Sequence, residues 1–281
     1  MILCTKMNGN GNDFLVINNM NLKYSGGTLS NYAKALCRRR ESLGADGILA
    51  TEPSEIHSFK MRLFNRDGTE GEMCGNGARC VARYAFLKGI VKKPEMVFET
   101  LGGKVEASVK ETRVSIKLSP VNISNLVLNS PASVEGYDFN YTFLSVGVPH
   151  VVIFEKQRFD SEDHYRKLGS AIRLRKDLFP EGANINFVSP RRTYEEGLDV
   201  LTYERGVEDL TLSCGTGSTA SAIVAFKAGL TGNVVDVYNP GGINRVSLEL
   251  ESTDILLPEL EGGALWIAEI DASEEALNQY N

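Results

Sequence analysis

The chain has 281 residues, 42% of them hydrophobic and 23% charged, with a mean hydropathy of -0.15. That profile excludes a disordered chain, a collagen-like repeat and a membrane bundle, and at roughly 150 residues per domain the length predicts two domains. Thirty basic against 36 acidic residues leave a net charge of -6, which excludes nucleic acid as a partner because phosphate binding needs a basic face.

The chain opens on Met1-Ile2-Leu3-Cys4-Thr5-Lys6-Met7. Polar and glycine residues then arrive too soon for the apolar core of a signal peptide. No run of about 18 apolar residues offers a membrane span, so a cytoplasmic protein with reduced thiols is expected. Gly9-Asn10-Gly11 lacks the third glycine of a dinucleotide loop and reads as a turn, leaving Asn12 available to bind a ligand. Cys37-Arg38-Arg39-Arg40, followed at once by Glu41, reads as a solvated helix end. The five cysteines (Cys4, Cys37, Cys74, Cys80 and Cys214) are odd in number and contain no Cys-x-x-Cys, so neither a disulfide framework nor a dithiol redox motif is expected. With only three histidines, no metal site is expected.

Next comes an internal repeat. Residues 74 to 89 and 214 to 229 align without gaps at an offset of 140, with seven of sixteen positions identical. Each copy starts Cys-Gly-x-Gly, continues as a run of helix formers and ends at a glycine stop, Gly89 or Gly229. Both helices are apolar on more than one face, which predicts burial. Short alternating strands follow each: Met96 to Phe98, Lys104 to Val109 and Val114 to Leu118, then Val234 to Tyr238, Val246 to Leu250 and Ile255 to Leu257. Between the copies, Ser119-Pro120 to Ser130-Pro131 reads as the linker. The predicted fold is α+β: two pseudo-symmetric domains, each a mixed or antiparallel sheet wrapped around a central buried helix, with the active site in the interdomain cleft. The domains are expected to span 1–121 and 122–263.

A cysteine at a helix start feels the dipole's positive end and unpaired amides, which favour thiolate and form a carboxylate site. The neighbouring glycines let backbone approach a ligand closely. Two such thiols on opposite faces of one carbon suit removal of a proton from one side and its return from the other. That inverts a stereocentre without a cofactor. Cys4, Cys37 and Cys80 read as apolar filler. His150 taken alone reads as a packed or surface histidine.

These motifs resemble the diaminopimelate epimerase family, cofactor-independent enzymes that interconvert LL- and meso-diaminopimelate for lysine and peptidoglycan synthesis. The likeness runs through Gly9 to Phe14, Gly44-Ala45-Asp46-Gly47, Asn65-Arg66-Asp67-Gly68, Met73 to Cys80, Pro149-His150, Asn184, Glu204-Arg205-Gly206, Cys214-Gly215-Thr216-Gly217 and Pro240-Gly241-Gly242. The resemblance implies that Cys74 and Cys214 are the acid/base pair, with His150 and Glu204 assisting. It implies that Gly75-Asn76 and Gly215-Thr216 hold the reacting carboxylate. Asn12, Asn65, Asn184, Glu204 and Arg205 would bind the substrate, Arg205 at the distal carboxylate. It further implies a homodimer, and a C-terminal strand over 264–275 that completes the first domain. Three positions depart from the family pattern. Val148 stands where Gly-Asn-Pro-His carries an amide, Asn8 replaces a frequent histidine, and Ser42-Leu43 replaces a common Gly-Ile. Relatives with altered distal contacts racemise other amino acids, histidine among them, so that racemase is the alternative within this chemistry. A thiol-redox protein and a non-catalytic amino-acid binder are the other classes.

Overall fold

The computed structural model describes residues 1–155, 159–192 and 196–277. In chain order it contains β1 (Ile2–Gly9), β2 (Asn12–Asn18), α1 (Gly26–Leu36), β3 (Gly47–Glu52), β4 (Lys60–Asn65), β5 (Glu70–Gly71), α2 (Gly75–Leu87), β6 (Glu95–Thr100), β7 (Gly103–Lys110) and β8 (Arg113–Lys117). There follow β9 (Val121–Asn122), β10 (Ser130–Val134), β11 (Tyr137–Val146), β12 (Val148–Phe154), α3 (Glu162–Arg173), β13 (Asn184–Arg192), β14 (Glu196–Glu204) and β15 (Asp209–Thr211). Last come α4 (Gly215–Lys227), β16 (Val234–Asn239), β17 (Gly242–Leu250), β18 (Ile255–Gly263) and β19 (Leu265–Ala272). The expected α+β class is what forms, mostly sheet with few helices.

The chain divides into two compact units, Met1–Ile116 with Gly262–Asn281, and Lys117–Glu261. In the first, β1 and β2 are antiparallel, α1 crosses to a parallel β3, and β4 returns antiparallel with β5 beside it. Then α2 crosses to β6, parallel to β4, and β7 and β8 follow as antiparallel neighbours. The second unit makes the same sequence of pairings with β11, β12, α3, β13, β14, β15, α4, β16, β17 and β18. The repeat visible over sixteen residues therefore extends to the whole pairing scheme of each unit.

Even the outermost strand has a counterpart. β19 runs antiparallel to β1, and β10 runs antiparallel to β11. The first unit thus takes its extra strand from the far end of the chain, whereas the second takes it from just upstream. β19 is fastened to α2: Trp266 stacks on Tyr84 at 5.9 Å, and Arg83 donates to the Ala264 carbonyl at 2.8 Å. The proline- and asparagine-rich stretch read as linker holds β9, paired with β18, and the start of β10.

Local signals explain the helices. Ser25 caps α1 by accepting from the Thr28 amide, and Ser161 caps α3 by accepting from the His164 amide. Both central helices end in a positive-φ glycine, Gly89 at +69° and Gly229 at +71°. After α4 the amides of Gly229 and Leu230 bond the carbonyls of Phe226 and Ala225, the paired bonds of a Schellman stop. α2 is buried over Asn76 to Ala82 and packs on β1, β2, β3, β4 and β7; α4 is buried over Gly217 to Ala225 and packs on β11, β12, β13, β14, β16 and β17. Each is the central helix of its own unit.

α3 lies so close to β14 that a Cβ on Gly169 would sit 2.6 Å from Tyr203 Cβ. Gly169→Ala is therefore expected to lower stability by about 1–3 kcal/mol through overpacking. Urea unfolding checks it: the midpoint should fall with the slope unchanged, and an unmoved midpoint would mean the helix yields freely.

Candidate active site

In the first unit Cys74, Gly75, Asn76 and Asn12 gather at the start of α2. Cys74 is its N-cap, with extended backbone (φ -139°, ψ 121°), and is half-buried. Gly75 is the first helical residue, and Asn76 is buried. Asn76 Nδ2 donates to Asn12 Oδ1 at 2.5 Å, while Asn12 Nδ2 donates to Asp46 Oδ2 at 3.1 Å. The fully buried Arg79 closes the other end, its Nη2 donating to Asn76 Oδ1 at 2.6 Å and its Nε to the Gly263 carbonyl at 3.4 Å.

A guanidinium only donates, so Arg79 fixes the Asn76 amide with its oxygen inward and its NH2 toward Asn12. The chain of amides is thereby oriented from Arg79 through Asn76 and Asn12 to Asp46. Burial disfavours the charge on Arg79, whose pKa is lowered.

Asp46, from the Gly-Ala-Asp-Gly motif, anchors the Asn12 turn by accepting from the Asp13 amide as well, at 3.1 Å. Arg39, exposed just past the end of α1 as expected, also pairs with Asp13 at 2.5 Å and Asp46 at 2.8 Å, and Lys6 pairs with Asp13 at 2.6 Å. Burial would raise the Asp13 pKa, but the hydrogen bonds from Arg39 and Lys6 outweigh it and hold the carboxyl below its usual range. Asn65, at the end of β4, is exposed and donates to Thr69 Oγ1 at 3.0 Å within its own turn.

The second unit presents the same motif with different chemistry behind it. Cys214 caps α4 from an extended conformation (φ -112°, ψ 112°), and its Sγ accepts from the Gly217 amide at 3.4 Å. Thr216 Oγ1 lies 3.5 Å from the same sulfur. A sulfur accepting a helix-start amide is placed to be stabilised as thiolate.

His150 on β12 lies opposite Asn184 on β13 in the parallel register. It is fully buried, with its pKa pushed down to about 3, chiefly by burial and further by the Arg205 charge. Asn184 Oδ1 accepts the Arg205 amide at 2.7 Å, and Arg205 Nη1 donates to the Glu181 carbonyl at 2.9 Å. Burial raises the Glu204 carboxyl pKa against the pull of a hydrogen bond from Thr211. Val148 sits half-buried on β12.

The second glycine of each Cys-Gly-x-Gly also has a packing role. A Cβ on Gly77 would meet Leu49 Cδ2 at 3.2 Å, and one on Gly217 would meet Asn186 Oδ1 at 2.3 Å and Thr202 Oγ1 at 3.0 Å. Neither residue has positive φ, so each is small because the helix start presses on its sheet. That contact exposes residues missed from sequence, Asn186 and Thr202. Asn186 is two positions beyond Asn184 on one strand, hence on the same face, in the alternation Asn184-Ile185-Asn186-Phe187; the alternation was the available signal.

A family model described as "Diaminopimelate epimerase" matches residues 4–123 and 142–257. The chain is 40% identical over 272 residues to a protein named diaminopimelate epimerase from Caldanaerobacter subterraneus subsp. tengcongensis, covering 92% of this chain and 96% of that one. It is 38% identical over 267 residues to a protein of the same name from Hydrogenobaculum sp., covering 91% and 94%. A solved structure described as a probable proline racemase from Agrobacterium radiobacter matches with a TM-score of 0.70 over 100% of this chain and 97% of that one, at 14% identity, a likeness of fold alone.

Proposed function

The chain belongs to the diaminopimelate epimerase family, and on that footing we propose that it is the isomerase that inverts one α-carbon of LL-diaminopimelate to give the meso form. The observation that carries this reading is the pair of cysteines, each capping the central buried helix of a unit with the same strand pairing. The reading requires both thiols to act on one substrate from opposite faces.

One cysteine, as thiolate, takes the α-proton and leaves the electron pair on the α-carbon, delocalised into the carboxylate. The amides of Gly75-Asn76 and Gly215-Thr216, at the helix starts, stabilise that charge. The opposite cysteine, as thiol, delivers its own proton to the other face. The carbon is inverted, and thiol and thiolate have exchanged places. No metal or organic cofactor enters.

In this assignment Asn12, Asn65, Asn184 and Arg205 bind the substrate, with Arg205 at its distal carboxylate and His150 and Glu204 beside the reacting end. The protein works in the cytoplasm, as a homodimer, in lysine and peptidoglycan precursor synthesis. No helix among the described residues is long and apolar enough to cross a membrane.

Val148 favours one second reading, racemisation of an amino acid with a different distal end. Incubating the enzyme in heavy water separately with LL-diaminopimelate and with L-histidine decides between them. Deuterium is expected at the α-carbon of diaminopimelate; exchange confined to histidine would overturn the assignment.

A further inference from the structure

Asn186 stands behind His150 without being part of any motif. Its Nδ2 donates to the Val151 carbonyl at 2.9 Å and lies 3.1 Å from His150 Nδ1, with the Asn184 carbonyl at 3.4 Å. Its Oδ1 accepts from Thr202 Oγ1 at 2.9 Å. The side chains of Asn186, His150 and Thr202 are all buried.

A carbonyl oxygen cannot donate, so the group facing Val151 O has to be the amide NH2. The same NH2 faces His150 Nδ1, which therefore accepts and carries no hydrogen. A neutral imidazole with an accepting Nδ1 bears its proton on Nε2. An imidazolium is ruled out by the same contact, since an Nδ1–H would point at an N–H. The start of α4 makes room for the arrangement, because Asn186 Oδ1 fills the space beside Gly217 where a Cβ would come within 2.3 Å of it. His150 Nε2 itself is buried and has no hydrogen-bond partner among the described residues.

We infer that Asn186, held by the Thr202 hydroxyl and the Val151 carbonyl, is a positioning residue that holds His150 as the neutral Nε2–H tautomer, so that His150 offers a ligand a hydrogen-bond donor rather than a lone pair. Resting on the epimerase reading, this makes His150 a donor to the charge that develops beside the reacting carboxylate as the proton leaves. It is not a third base competing with the thiols. The neutral donor also adds no fixed charge that would bias the equilibrium between the two cysteines.

The test reads the tautomer directly. Protein carrying 15N-labelled histidine has three imidazoles, and His150→Gln identifies the signal of interest. At pH 7, without substrate, the wild type is expected to show an unprotonated Nδ1 and a protonated Nε2. In Asn186→Asp the carboxylate accepts from Nδ1, and the proton is expected to move there. Asn186→Leu, of similar volume and without a donor, should release the preference and give a mixture. A proton on Nδ1 or on both nitrogens in the wild type would overturn the inference, as would an unchanged tautomer in the variants. Because this readout needs no substrate, it stands whether or not diaminopimelate is turned over. With LL-diaminopimelate, kcat is expected to fall about 10- to 100-fold in both variants, the loss of one hydrogen bond to a charge present in the transition state, while KM holds. A moved proton with unchanged kcat would sink the positioning role.

Discussion

Replacing Cys74 by serine, or Cys214 by serine in a second protein, is expected to lower kcat for inversion of LL-diaminopimelate by about 100- to 10,000-fold, the range that a positioned acid or base contributes. The same substitutions should abolish α-proton exchange in heavy water. A hydroxyl at the same place holds its proton far too tightly to serve as base near neutral pH. Unfolding does not provide a rival explanation. Both cysteines are N-caps with extended backbone, and serine is among the favoured N-cap residues. The variants should therefore keep their circular dichroism and urea midpoints. Retained exchange in either variant would remove the two-thiol mechanism.

The same geometry predicts where an alkylating reagent goes. Burial pushes the pKa of Cys4 up to about 11 and those of Cys37 and Cys80 up to about 12, so these thiols stay protonated and inert at neutral pH. Mass spectrometry after brief iodoacetamide treatment should find label on the helix-start cysteines alone, with half-buried Cys74 ahead of buried Cys214.

The second large effect is on stability in acid. His150 has an ordinary pKa of 6.5 and is pushed down to about 3 in the folded protein by burial, with Arg205 adding to the effect. Above pH 6.5 it is neutral in both states and costs nothing. Between pH 6.5 and about 3 the unfolded chain binds a proton that the folded protein refuses. The unfolding equilibrium therefore shifts by about tenfold per pH unit in favour of the unfolded chain.

Carboxyls near the candidate site also act in acid, and their signs differ. Asp13, with its pKa lowered from 3.8, contributes stability that is lost as pH falls below that value. Glu204, with its pKa raised, is relieved of a buried charge as it is protonated. Urea unfolding of the wild type and His150→Gln from pH 7 to pH 4 isolates the histidine. The wild type should weaken steeply across this window and the variant much less. Parallel curves would show that His150 takes up its proton in the folded state.

Legibility from sequence followed the range of each interaction. Cys74 and Cys214 stood out because capping residue, glycine turn, helix formers and stop signal all lie within sixteen residues, and local backbone preferences act on that scale. The glycine stops formed where expected, and so did the burial of both central helices. Most of the strands after them began within a residue of their expected places, though β17 starts at Gly242 rather than Val246 and β18 runs to Gly263 rather than ending at Leu257. Ladder pairing extends a strand beyond what its side-chain alternation alone reveals.

By itself, then, the sequence determined two repeated cysteine-headed helices, an α+β class and a chemistry suited to stereoinversion. Tertiary structure alone decided what surrounds them. Trp266 reaches Tyr84 across 182 positions, and Thr202 meets Asn186 only because β13 and β14 pair. Gly77 and Gly217 are small because a sheet lies against them. These contacts depend on which strands meet, and in each unit that is settled by burying its central helix, a condition no local stretch of sequence carries.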